Sequence, residues 1–221
     1  MKVLILGATG MVGQGALREC LCTPDVELIM TVGRRVTGVH HPRMREVVHT
    51  NLADYSGLAA ELAGFDACFF CLGVSSAGMS EAEYERVTYD LALAAGQALS
   101  QVHPGMTFIY VSGAGTDSSE QGRTMWARVK GRTENALLRL PLEVYMFRPG
   151  LIQPLDGIQS RTRTYRLIYS LGRPLMSLLR RALPNQVITT RELGRAMLKV
   201  AQQGYPKRIL ETHDLRIAAR G

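Results

Sequence analysis

The stretch Gly7-Ala8-Thr9-Gly10-Met11-Val12-Gly13 directly follows the apolar residues 3–6 and precedes a segment of helix-forming residues. A strand, a glycine-rich turn and a helix in this order are typical of the first unit of a parallel α/β sheet that binds a dinucleotide. A purely structural glycine turn is the alternative. The stretch therefore predicts an α/β fold with a dinucleotide at the start of the first helix.

Each part of this loop has an expected role. Gly7 permits the tight turn, Gly10 lets the backbone approach the pyrophosphate, and Gly13 lets the helix pack closely. Thr9, Met11 and Val12 complete the loop and the first helical turn, whose free N–H groups favour phosphate. We therefore predict that all these residues contact the cofactor.

The alternation of strand and helix signals continues to about residue 150, which predicts a Rossmann-type doubly wound parallel sheet. Short apolar runs predict strands, and amphipathic runs between them predict helices. The predicted strands are 2–6, 27–32, 45–49, 66–71, 107–112 and 143–148, and the predicted helices are 11–21, 80–100 and 123–138.

After Pro149-Gly150 the pattern changes. Residues 160–183 are rich in arginine, with apolar residues at helical spacing. A helix over 191–202, capped by Thr189 or Thr190, and a strand over 208–210 follow. We predict one domain, with 1–150 as the cofactor-binding core and 151–221 as a small, mainly helical extension on the substrate side. The basic segment also suits an anionic membrane surface, but packing against the domain is the favoured interpretation.

The end of the second strand carries Arg34 and Arg35 where NAD-binding folds place an acid for the ribose hydroxyl. Two guanidinium groups suit a ribose 2′-phosphate, which predicts NADP(H) as the cofactor. A solvated arginine pair is the alternative. Leu52 follows the third strand, where adenine contacts fall, and Leu72 and Gly73 end the fourth strand beside the expected groove.

The composition of the 221 residues suits a soluble enzyme-sized domain: 46% are hydrophobic and the formal net charge is +7. The positive charge suits anionic ligands, nucleic acid or membrane, but recognised RNA-binding motifs are absent, so nucleic acid is not expected as a partner. No apolar run approaches the ~20 residues of a membrane span. The apolar start is too short for a secretory signal, which favours the cytoplasm.

Cys68 and Cys71 have the spacing of a metal or redox pair, but they lie in a predicted buried strand. An odd offset in a strand sends two side chains to opposite faces, and Cys20 and Cys22 diverge on a helix. We therefore predict core thiols and no metal site.

Taken in order, the glycine stretch, Val111-Ser112-Gly113-Ala114, Val129-Lys130-Gly131 with Glu134, and Arg148-Pro149-Gly150 resemble the short-chain dehydrogenase/reductase superfamily. The chain looks most like its atypical NAD(P)H-binding branch, which includes Tat-interacting-protein-like and epimerase-like proteins. The resemblance implies that Ser112 is the catalytic serine and that Lys130 is the lysine that holds the nicotinamide ribose.

The chain departs from this pattern at Trp126, which stands four residues before Lys130 where the family has its catalytic tyrosine. Indole donates a hydrogen bond but has no acid–base equilibrium near neutrality. Two functions remain open: an NADP-dependent oxidoreductase of a small carbonyl or quinone-like substrate with altered proton delivery, and a non-catalytic NADP(H)-binding regulatory protein.

Overall fold

The computed structural model describes residues 1–158 and 185–220. The strands are β1 (Lys2–Leu6), β2 (Leu28–Gly33), β3 (Met44–Val48), β4 (Ala67–Phe70), β5 (Thr107–Val111), β6 (Glu143–Arg148), β7 (Leu151–Gln153), β8 (Val187–Thr189) and β9 (Ile209–Glu211). The helices are α1 (Met11–Cys22), α2 (Ala59–Leu62), α3 (Glu81–Glu85), α4 (Leu91–Val102), α5 (Met125–Leu137), α6 (Thr190–Gln203) and α7 (Thr212–Ala218). A π-helical turn over Arg86–Asp90 joins α3 to α4.

Seven parallel strands form the main sheet, in the order β3-β2-β1-β4-β5-β6-β9. The chain leaves β1 toward one edge and returns to β4 on its other side. Such a reversal opens a crevice at the carboxyl ends of the strands, where doubly wound folds bind ligands. The predicted Rossmann-type fold is therefore confirmed.

Both faces of the sheet are covered, because the strands are apolar on both sides. One apolar core lies under α1 and α6 and includes Ile5, Phe69 and Phe147. The other lies under α4 and α5 and includes Leu4, Phe70 and Phe108. Close backbone packing joins α1 to α6, since a Cβ on Gly194 would lie 2.8 Å from the carbonyl oxygen of Gly15.

Most predicted elements are found within two residues of their expected bounds. The capping residues explain two helix starts: Ser80 with Glu83, and Thr189 with Glu192, each form a reciprocal capping box. The short pair β7–β8 and the helices α2 and α7 were not predicted, because elements of three to seven residues carry little periodic pattern. The predicted basic helix at 160–183 lies outside the described residues.

Three of the four cysteines are buried: Cys20, Cys68 and Cys71. Cys68 and Cys71 lie in different cores on opposite faces of the sheet, as predicted. Burial raises the pKa of Cys71 to about 12, which keeps its thiol protonated and unreactive. The prediction of a core thiol is wrong for Cys22, which is exposed because it ends α1.

Candidate functional site

The first part of the glycine loop, Gly7 to Thr9, lines a cleft of about 450 Å³ at the carboxyl ends of β1, β2 and β4, whereas residues 10–13 are not among its lining residues. Gly7 has φ +86°, and a Cβ there would lie 2.8 Å from the amide nitrogen of Leu72. A Cβ on Gly13 would lie 2.2 Å from the carbonyl oxygen of Gly7. Both positions therefore require glycine because backbone segments approach closely.

Gly10 differs from these two glycines. Its backbone is extended, and an added Cβ would meet only the Gly7 oxygen at 3.4 Å and the Cys71 oxygen at 3.9 Å. As the N-cap of α1 it has no capping side chain, and no acid lies in the first turn with Met11 and Val12. The helix start therefore presents open N–H groups and its positive dipole end, which suits a phosphate group.

Arg34 and Arg35 line the same cleft, together with Thr9, Leu52 and Leu72. Both arginines are exposed. Among the described residues neither guanidinium makes an ion pair, and no carboxylate lines the cleft. An exposed guanidinium pair beside the glycine loop can hold an anionic group. Gly73 follows Leu72 but is exposed and does not line this cleft.

One acid that contacts the loop after β2 was missed in the sequence. Glu46 of β3 is paired in register with Thr31 of β2. Its carboxylate accepts hydrogen bonds from the Thr37 amide at 2.6 Å and the Thr31 hydroxyl at 3.4 Å. Glu46 therefore fastens the loop that carries Arg34 and Arg35.

Ser112 and Lys130 lie together at the carboxyl end of β5, as the resemblance implied. The Lys130 amine donates to the carbonyl oxygen of Ser112 at 2.6 Å and lies 3.5 Å from that of Val111. Burial lowers the pKa of Lys130 to about 8, while the negative charge of Glu134 acts in the opposite direction. The amine lies 5.8 Å from the centre of the Tyr110 ring, which is buried in the core.

The Ser112 hydroxyl is part of a buried polar network. It donates to the Glu134 carboxylate at 2.6 Å and lies 3.2 Å from the Phe147 carbonyl oxygen. Glu134 also forms an ion pair with Arg148, which in addition donates to the Ser118 hydroxyl at 2.6 Å and lies 3.5 Å from the Glu211 carboxylate. To polarise a substrate carbonyl, the Ser112 hydroxyl would have to turn its hydrogen bond from Glu134 to the substrate.

Trp126 is half-buried in the first turn of α5. Its six-membered ring packs near Gly115, where an added Cβ would lie 3.6 Å from the ring. One turn later, Gly131 packs so closely on the β5–α5 loop that a Cβ would overlap the Asp117 carbonyl oxygen. The glycine of the Val129-Lys130-Gly131 motif therefore brings α5 against the loop that follows β5.

Comparisons with known proteins agree with this architecture. No protein-family model matches the chain. The chain is 24% identical over 151 residues to "Protein fmp52-2, mitochondrial" of Aspergillus oryzae, covering 67% of this chain and 66% of that protein. It is 24% identical over 159 residues to "Protein FMP52, mitochondrial" of Meyerozyma guilliermondii, covering 69% and 65%. The matches thus span slightly under two thirds of these relatives' lengths.

The predicted cytoplasmic location is contradicted by these two relatives, both of which are named as mitochondrial. A short apolar start argues against a secretory signal but does not distinguish between compartments inside a cell. Within residues 1–158 and 185–220, no helix combines the length and apolarity that a bilayer span requires.

Solved structures share the fold at low sequence identity. The enzyme WbmF of Bordetella bronchiseptica in complex with NAD+ and UDP has a TM-score of 0.69 at 15% identity, over 99% of this chain and 76% of WbmF. UDP-N-acetylglucosamine 4-epimerase of Methanobrevibacter ruminantium has a TM-score of 0.68 at 15% identity, over 92% and 74%. For glucuronic acid dehydrogenase of Chromohalobacter salexigens the TM-score is 0.64 at 15% identity, over 95% and 75%.

Identities this low establish the fold and not the activity. The predicted likeness to epimerase-like short-chain dehydrogenases/reductases is confirmed at that level: the chain has the Rossmann fold of epimerase- and dehydrogenase-type proteins, some of them solved with NAD bound.

Proposed function

We propose that this chain binds NADP(H) in the glycine-loop cleft and acts as an oxidoreductase on a small carbonyl or quinone-like substrate. The observation that carries the cofactor choice is the arginine pair. Arg34 and Arg35 line a cleft without carboxylates and have no ion-pair partner among the described residues. A 2′-phosphate would supply the negative counter-charge for both guanidinium groups.

The remaining contacts of the cofactor follow from the positions of the loop and Lys130. The open amides at the start of α1 would hold the pyrophosphate, and Leu52 and Leu72 would contact the adenosine half. An ammonium group has three donors, and two are directed at the carbonyl oxygens of Ser112 and Val111. The third is free for the ribose hydroxyls. When bound, the reduced cofactor supplies a hydride.

Calorimetric titration of the protein with NADPH and NADH tests this proposal. We expect NADPH to bind at least roughly tenfold more tightly, because charge-assisted hydrogen bonds to the extra phosphate contribute about 1.5–3 kcal/mol. Equal affinities would contradict the assignment of NADP(H), and failure to bind either dinucleotide would contradict the cofactor site itself.

A second candidate is a non-catalytic NADP(H)-binding regulatory protein. Two observations favour it: Trp126 stands where the family has its proton-transferring tyrosine, and the Ser112 proton is directed at Glu134. Of the two hydrogen-bond donors that the family uses in catalysis, the tyrosine is therefore absent and the serine is already bonded to Glu134. Tight NADPH binding with no turnover on a broad panel of carbonyl compounds and quinones would support this candidate over the enzyme.

A further inference from the structure

A second cleft, of about 510 Å³, lies at the carboxyl ends of β5, β6 and β9. Ala114 follows β5, Gly150 follows β6 and Glu211 ends β9, and all three line it. The first of these strands, β5, adjoins β4, at which the glycine-loop cleft ends. The two clefts therefore lie side by side along one edge of the sheet, and a dinucleotide running from Arg34 across the glycine loop is directed toward the second cleft.

Close backbone contacts build the wall of this second cleft. A Cβ on Gly150 would lie 2.4 Å from the carbonyl oxygen of Gln186. The Gly150 amide donates to the Thr212 hydroxyl at 2.7 Å, and the Leu151 amide donates to the Gln186 carbonyl at 2.8 Å. The chain segments after β6 and before β8 are thereby joined to the start of α7.

His213 lines this cleft and carries an imidazole, the side chain that most often transfers protons in enzymes. Its ring atom Nδ1 lies 3.2 Å from Oδ1 of Asn185. An amide oxygen only accepts, so Nδ1 carries the proton of this bond. No residue within 1–158 and 185–220 hydrogen-bonds to Nε2. Asn185 thus holds the imidazole through Nδ1 and leaves Nε2 for a ligand. Catalytic triads use the same arrangement, in which a third group orients the base.

The other lining groups indicate the kind of ligand. Ala114, Leu151 and Val187 provide apolar wall. Glu211 is 51% exposed, and its carboxylate, 3.5 Å from the Arg148 guanidinium, accepts hydrogen bonds and opposes anions. The cleft therefore suits a neutral molecule that combines a carbon chain with hydroxyl groups.

We propose that the second cleft binds a neutral hydroxy-carbonyl substrate and that His213 protonates its carbonyl oxygen, in place of the tyrosine that Trp126 replaces. The inference rests on the proposed oxidoreductase function. The carbonyl carbon receives a hydride from NADPH, the π electrons pass to the oxygen, and the oxygen takes the proton from Nε2 of the imidazolium. The neutral imidazole then regains a proton from water, so that the products are an alcohol and NADP+.

The first test observes binding without turnover. Histidine imidazole signals are recorded by NMR on the cofactor-free protein during titration with erythrulose, a neutral hydroxy-ketone. The His213 signal is assigned by its loss in His213→Gln, and that of the exposed His40 by its loss in His40→Ala. We expect the His213 signal to shift and the His40 signal to stay. An unshifted His213 signal overturns the proposed cleft, whether or not NADPH binds.

The second test measures NADPH oxidation with erythrulose, with butanone, which has the same chain length but no hydroxyl, and with α-ketobutyrate, its anionic counterpart. We expect erythrulose to have the lowest KM, by about tenfold, because butanone leaves the polar groups of the cleft unpaired. His213→Ala should lower kcat at least about 100-fold. Added imidazole should restore part of this loss, which a merely structural histidine would not allow.

The control variant His40→Ala should retain wild-type turnover and NADPH affinity. Turnover that is unchanged in His213→Ala overturns the role of His213. Wild-type protein that binds NADPH tightly but turns over none of the three probes also overturns that role, while leaving the cofactor proposal standing. Failure to bind NADPH contradicts the proposed function instead, and the NMR titration then decides the cleft separately.

Discussion

The Ser112 hydroxyl donates a 2.6 Å hydrogen bond to the carboxylate of Glu134, a side chain that is only 1% exposed. Because Arg148 neutralises the same carboxylate, removal of Glu134 leaves a largely buried guanidinium with only the half-exposed carboxylate of Glu211, 3.5 Å away, as a counter-charge. We expect Glu134→Ala to lower the free energy of unfolding by about 3–5 kcal/mol. Ser112→Ala should cost only about 1 kcal/mol, because the ion pair remains.

Urea denaturation of the two variants measures this difference. Glu61→Ala serves as the control, since Glu61 is exposed in α2 and its loss should change stability by less than about 0.5 kcal/mol. Equal effects of the Glu134 and Ser112 substitutions would show that the Glu134–Arg148 pair does not stabilise the fold.

The arginine pair is expected to determine cofactor preference. In the double variant Arg34→Ala/Arg35→Ala, NADPH affinity should fall roughly 10- to 100-fold while NADH affinity changes little, because only NADPH carries the 2′-phosphate. Calorimetry on both cofactors measures the two changes. Arg139→Ala, an exposed arginine at the end of α5, should leave both affinities unchanged. An unaltered preference in the double variant would contradict the assigned phosphate site.

Gly10→Val should abolish dinucleotide binding without unfolding the protein. The extended backbone at Gly10 accepts any residue, and the nearest atom to an added Cβ is 3.4 Å away, so the fold tolerates the substitution. The branched side chain instead occupies the approach of the pyrophosphate. Gly57→Val, with open space around the added Cβ, is the matched control. Circular dichroism and NADPH titration of both variants measure the result; a folded Gly10→Val that binds NADPH normally would show that the phosphates lie elsewhere.

The lowered pKa of Lys130 predicts a pH dependence of stability. Below a pH of about 8, the pKa of Lys130 in the folded protein, the amine is charged in both the folded and the unfolded state. The whole cost of burying that charge then lowers the free energy of unfolding. As pH rises from about 8 toward the ordinary lysine value, the unfolded chain retains the proton longer, so this destabilisation is relieved. Lys130→Met should therefore gain stability relative to wild type at pH 7 and lose that advantage at pH 10.

Thermal unfolding of the two proteins in parallel at both pH values measures the difference, and titrations common to both proteins cancel. A stability difference that stays constant with pH would mean that folding does not lower the pKa of Lys130.

Trp126→Tyr should raise any carbonyl-reductase turnover, because a phenol supplies the proton that indole cannot. The substitution lies four residues before Lys130 on the same face of α5, so the amine is close enough to favour ionisation of the new phenol. Turnover with and without Ser112→Ala measures the effect. Trp126→Phe is the matched control and should gain nothing; an equal gain in both variants would point to relief of crowding and not to proton transfer.

The sequence alone determined the fold and the position of the glycine-loop cleft. Glycine spacing after an apolar strand is a local pattern, so the turn and helix start from Gly7 to Gly13 can be recognised from neighbours in the chain. Arg34 and Arg35 could be named because they end the next strand, although parallel pairing of β1 with β2 brings them to the same cleft. The capping boxes at Ser80 and Thr189 are local in the same way. Such features can be predicted because the interacting groups are neighbours in the chain.

Only the tertiary structure decided the features that depend on contacts between residues far apart in the chain. The Ser112 proton is directed at Glu134 because β5 and α5 meet across 22 residues of chain. Arg148 reaches the same carboxylate from β6. His213 and Asn185 come together only through β8 and α7, elements too short to leave a periodic pattern in the sequence. The sequence supplies these side chains, but only packing of distant segments selects which of them share a cleft.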